Sequence, residues 1–173
     1  MDNCGTVFDS GSFANVWERV SSGREPSGTA YMVQDADVSA ETYEADRLRT
    51  FIDGETERLR GYASLAARNG GETGKALRSL TVITKQWTNT LRAHRFVLTG
   101  DNYRSSSMNI VPARRIHETL RDLCALELRS REAYRKAATN ADAETGFASL
   151  YARLENVSAA RIDTLTSILG RIL

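Results

Sequence analysis

The feature that most constrains this chain is a helical stripe that occurs twice. Residues 48–66, LRTFIDGETERLRGYASLA, place Leu48, Ile52, Leu59, Tyr62 and Ala66 on one face at α-helical spacing, with a single carboxylate, Glu55, in the middle. Residues 120–138, LRDLCALELRSREAYRKAA, repeat the arrangement with Leu120, Cys124, Glu127, Arg131, Tyr134 and Ala138. A carboxylate is expensive to bury without a partner. Two of them, at matching places on apolar faces, point to a centre where something cationic is held now or was held once.

The periodicity on either side completes two helical hairpins. The first long helix is predicted to start near Ser39, a good N-cap with Glu41 in the first turn, and to stop at Asn69-Gly70-Gly71. The second should run from Glu72 or Thr73 to Thr99, with Gly100 as its stop and a stripe of Leu77, Leu80, Thr84, Trp87, Leu91, His94 and Leu98. Pro112 suits the first turn of a third helix ending near Asn140. A fourth is expected from Asp142 or Ala143 to the C-terminus, with Tyr151, Leu154, Ser158, Arg161, Leu165, Ile168 and Ile172 inward. The second and fourth stripes also match at a constant offset: Leu80 with Leu154, Thr84 with Ser158, Trp87 with Arg161, Leu91 with Leu165. Short joins within each pair make the paired helices antiparallel neighbours.

Between the pairs lies the polar link DNYRSSSMNIV, residues 101–111. Helices of roughly 27 residues are ~40 Å long, and a link of this size spans roughly 36 to 40 Å when extended. That matches a crossover along the length of the bundle better than an up-down-up-down chain with a slack loop. The expected architecture is an all-α four-helix bundle over residues 39–173, preceded by an arm over residues 1–38. Within the arm, Phe13, Val16, Trp17 and Val20 have the spacing of a short amphipathic helix. Its apolar face is expected to dock on the main body, the alternative being a partner or dimer contact through Trp17. Residues 21–38 read as a connecting stretch in which Tyr31 and Met32 are the anchors.

Composition removes several function classes. With 23 basic and 22 acidic residues, nothing in the net charge of +1 favours nucleic acid or an anionic membrane. Cys4 and Cys124 are far apart and form neither a zinc-ribbon pattern nor a disulfide framework, which suits a reducing, cytoplasmic setting. The sequence starts without a basic and apolar leader and has no apolar run of membrane-spanning length. Secretion and membrane insertion are therefore not expected.

In the stretches FIDGETERLRGYASLA, RAHRFVLTGDNY and LRSREAYRKAA, and in its paired hairpins, the chain resembles the ferritin-like family, in particular its rubrerythrin-like branch, over about residues 40–173. The resemblance implies a di-iron or di-manganese centre built from a glutamate on each first helix and a Glu-x-x-His on each second. Here the first-helix glutamates are Glu55 and Glu127. The second-helix motifs have become Thr84-Lys85-Gln86-Trp87 and Ser158-Ala159-Ala160-Arg161. Two carboxylates and two hydroxyls do not make the carboxylate and imidazole shell that such ions need. Ferroxidase, peroxidase and oxygenase activity are not expected, and the cysteine set of a rubredoxin module is also missing. The expectation is a protein without a cofactor and with a structural or interaction role, as a homodimer or with a protein partner. The alternative is a residual iron- or manganese-dependent oxidoreductase using Glu55 and Glu127.

The substitutions suggest what fills the centre instead. Trp87 has the volume to occupy space left by ions and imidazole, and Arg161 brings a fixed positive charge. Arg131, one turn after Glu127, is expected to supply a second, giving a network of Glu55, Glu127, Arg131 and Arg161; the alternative for Arg161 is to extend outward past the edge of the core. His94, about 10 Å beyond Trp87 along the axis, is too distant to be a ligand there. His117, Glu155 and Asp163 are expected on solvated faces, and Cys124 as a small buried hydrophobe.

Overall fold

The computed structural model describes residues 35–106, 115–142 and 145–172, with side chains from residue 41 onward. All regular structure among them is helical: α1 Asp35–Arg68, α2 Gly71–Thr99, α3 Ile116–Asn140 and α4 Phe147–Ile172. The stripe at Phe13, Val16, Trp17 and Val20, the anchors Tyr31 and Met32, and Pro112 lie outside the described residues. No described helix is long and apolar enough to cross a membrane.

The helix ends follow the glycines. Gly100, at φ 68°, adopts the left-handed conformation that ends α2, and its N–H donates to the Phe96 carbonyl oxygen. Between α1 and α2 only Asn69 and Gly70 remain, so these helices double back as a hairpin. Two starts differ from the sequence reading. Helix α1 begins one turn before Ser39, at Asp35. Helix α4 begins at Phe147, not at Asp142 or Ala143, because Gly146 has φ 74° and cannot continue a right-handed helix.

Contacts between side chains fix the helix directions. Arg58 bonds Ser130, Tyr62 bonds Glu127 and Tyr134 bonds Glu55, so α3 descends as α1 ascends. Glu44 meets Tyr151 and Glu55 meets Arg161, so α4 ascends with α1. Helices α2 and α3 therefore run the same way. Of the chain that follows α2, Tyr103 lies against α1, where its hydroxyl bonds the Asp53 carboxylate at 2.8 and 2.9 Å.

The apolar interior is divided in two. One half holds Leu48, Ile52, Leu91, Tyr134, Ala137, Phe147, Leu150, Tyr151 and Leu154. The other holds Tyr62, Leu65, Ala66, Leu77, Leu80, Leu120, Leu123, Leu165 and Ile168. The repeat exchanges them: Leu48 becomes Leu120, Tyr134 becomes Tyr62, Leu154 becomes Leu80, and Leu91 becomes Leu165. Each buried leucine contributes roughly 1.5–3 kcal/mol relative to exposure. What separates the halves is a polar layer.

Candidate functional site: a charged layer at the centre of the bundle

The layer is made by α1, α3 and α4, and its residues are as buried as the leucines on either side. Glu55, Glu127 and Ser158 are 0% exposed, and Arg58 and Arg161 are 1%. The Glu55 carboxylate accepts from Arg58 Nη2 at 2.6 Å and from the Tyr134 hydroxyl at 2.7 Å. It also receives a two-pronged contact from Arg161, Nη1 to Oε1 at 3.0 Å and Nη2 to Oε2 at 2.9 Å. This fork is the strongest geometry available to a guanidinium and a carboxylate. The Glu127 carboxylate accepts from the Tyr62 hydroxyl at 2.6 Å, from the Ser158 hydroxyl, and from Arg161 Nη1 at 3.4 Å, while Arg58 Nε stands 3.5 Å away. Two negative charges thus face two positive ones, and the layer as a whole is neutral.

The arrangement sets the protonation states. Burial works to raise the Glu55 carboxyl, yet Arg58 and Arg161 hold it below its ordinary value of 4.5. Burial, then the charge of Glu127, pushes the Tyr62 hydroxyl far above its ordinary 10.0. Burial and Glu55 do the same to Tyr134. Both phenols therefore stay neutral and donate. Burial opposes the charge on both arginines, but the carboxylates of Glu55 and Glu127 raise their values.

Arg131 is corrected by the structure. Its side chain is 49% exposed, and its ion-pair partner among the described residues is Glu155, at 3.8 Å. The second central cation is Arg58, on α1, which donates to Glu55, to Tyr134 and to the hydroxyl of Ser130. Arg58 and Ser130 are 72 residues apart, the offset that relates the two first helices, so Arg58 touches its own counterpart. The local two-fold of the α1 and α3 pair passes between them. Trp87 is placed differently from the expectation as well: Arg58 and Arg161 occupy the middle, and Trp87 is half-buried at the margin of one apolar half, with Arg153 over its ring. Thr84 is buried but spends its hydroxyl on the Leu80 carbonyl oxygen.

The remaining candidates lie off the layer. His94 is outward on α2 and packs its ring 5.8 Å from that of Phe147, where burial lowers its pKa. His117 is 3.9 Å from Glu118 on a partly exposed face, and Asp163 is exposed. Cys124 is half-buried against the second apolar half, and burial followed by the Glu127 charge raises its thiol. Among the described residues no three acidic, histidine or cysteine side chains converge as a metal site would require.

The residues present do not fit a di-iron or di-manganese pair. The lone pairs such ions would take from Glu55 and Glu127 are engaged by guanidinium, phenol and serine donors, and the four further positions that the resemblance implies hold Thr84, Trp87, Ser158 and Arg161. No known protein family, characterised protein or solved structure matches the chain.

Proposed function

We propose that this chain is a ferritin-like bundle of the rubrerythrin-like branch whose di-metal centre has given way to a neutral buried charge layer. It acts through its fold, as a structural or interaction protein of the cytoplasm, in a homodimer or with a protein partner. The observation that carries this reading is the saturation of both central carboxylates by protein donors: Glu55 by Arg58, Tyr134 and Arg161, and Glu127 by Tyr62 and Ser158. An arginine fork does for a carboxylate what a cation would do, without redox chemistry and without a labile ligand. The helix directions agree with a bundle of two hairpins joined by a crossover.

The rival is an iron- or manganese-dependent oxidoreductase on Glu55 and Glu127. It requires an ion to displace two arginines from a dry interior and to leave them facing each other beside added positive charge. Elemental analysis of protein purified without chelator, followed by titration with ferrous iron and manganese, separates the two. The expected result is no bound metal in either experiment. Stoichiometric metal that disappears in Glu55→Gln and Glu127→Gln would establish the rival.

A further inference from the structure

Helix α2 and the first turns of α4 line a common opening. A cleft of ≈ 470 Å³ opens there, its walls including Trp87, His94 and Gln86 from α2 and Gly146, Ser149 and Arg153 from α4. That is within the range of small-molecule sites. The internal repeat supplies a comparison for what should occupy such a position. The counterpart of His94 is Ile168, fully buried; the counterpart of Arg153 is Ser79; the counterpart of Trp87 is Arg161, drawn into the central layer. None of these three cleft residues is matched in kind by its counterpart.

The equipment has one chemical sense. Arg153 lies 5.4 Å above the Trp87 ring and has no carboxylate partner among the described residues. Among the described residues, the cleft lining contains no acidic side chain. The first turn of α4, which forms one lip, also has none, and its backbone N–H groups before Leu150 have no intrahelical acceptor. The Gln86 amide and the Ser149 hydroxyl add uncharged hydrogen-bonding groups, and the indole of Trp87 offers a flat apolar wall.

We propose that this cleft binds a small carboxylate anion with a flat aromatic body, the carboxylate on Arg153 and the ring against Trp87. One guanidinium neutralises one carboxylate, so no second cation is needed. The proposal is independent of what fills the centre of the bundle.

The test is a titration of the full chain with benzoate, followed by amide and indole NMR signals. Benzoate should move the Trp87 indole and the amides of residues 146–153 in a saturable way. Benzamide, with the ring but no charge, and acetate, with the charge but no ring, should each bind at least about tenfold more weakly, the scale of one charge-assisted hydrogen bond. Arg153→Gln should lose a similar factor, with an unchanged unfolding midpoint. If Arg153→Gln fails to fold, the benzamide and acetate comparisons still decide. No benzoate response, equal affinity for benzamide, or tighter binding of phenyl phosphate than of benzoate would overturn the proposal.

Discussion

Each hairpin brings one carboxylate and one guanidinium to the central layer, but the two do it from different places. In the first, Glu55 and Arg58 are neighbours on α1. In the second, Glu127 is on α3 and its cation, Arg161, is on α4. The counterparts of the two arginines are Ser130 and Trp87, neither of them charged. Charge balance within each hairpin is thus kept while position is not. The environments differ accordingly: Glu55 takes contacts from two guanidinium groups and a phenol, Glu127 mainly from two hydroxyls. A buried layer of this kind is constrained by net charge and by donor count, and much less by which helix supplies the donor.

That comparison can be broken most forcefully at Arg161. Arg161→Ala leaves two buried carboxylates against one cation and should cost about 3–5 kcal/mol in denaturant unfolding, the range for stripping one partner from a buried pair. Trp87→Ala, at the matching position, should cost less, since Trp87 is only half-buried. Near equality would mean that the layer contributes no more than ordinary packing.

The next effect separates the two glutamates. Glu55→Gln should destabilise more than Glu127→Gln, because the fork from Arg161 needs a full carboxylate while the Tyr62 and Ser158 hydroxyls can still donate to an amide oxygen. The reverse order would place the dominant charge pairing on Glu127.

pH gives a third view, with opposite signs for acid and phenol. Burial and the facing carboxylates keep Tyr62 and Tyr134 protonated in the fold, while in the unfolded chain they ionise near 10.0. Their contribution is complete below that pH and is lost as pH rises, by about 1.4 kcal/mol per pH unit for each tyrosine. Phenolate absorbance from these two residues should appear together with unfolding and not before it. Glu55 works the other way: its carboxyl lies below 4.5 in the fold, so its contribution is present above that value and fades as pH falls. Denaturation followed across the pH range should show both losses, and a flat alkaline limb would mean that the phenols are wet. The smallest effect is expected at Arg131, where Arg131→Ala should change stability by less than about 0.5 kcal/mol because its pair with Glu155 is exposed.

The hairpins and most of the layer were legible in the sequence for a simple reason. Period, offset and glycine stops are local signals, and the Glu55 and Glu127 positions stand out because charge on an apolar stripe is rare. Arg161 stands out because it lies on the inward stripe of the fourth helix, at the histidine position that the family resemblance implies. Arg58 was missed because Leu59, beside it, fits an apolar stripe better, and an arginine three residues after a glutamate is usually read as a solvated pair. In the fold Arg58 is 1% exposed and Leu59 only partly buried. The signal that could have found it is Ser130, a small residue at the equivalent place on the other first helix. Trp87 was read as a filler of the centre because size alone suggests it, whereas the space had already been taken from the other side by the two guanidinium groups. The late start of α4 turned on Gly146, whose positive φ no hydrophobic period reveals.

The contact between Arg58 and Ser130 has a further consequence. A side chain standing on a two-fold meets the side chain from the equivalent position, so a hairpin paired with an identical copy of itself would set arginine against arginine. Like charges with no room between them would drive such a pair apart. A single guanidinium can occupy that place only where the opposite residue is small, which identical halves cannot arrange. This centre is therefore open only to halves that have diverged, as the two hairpins of this chain have.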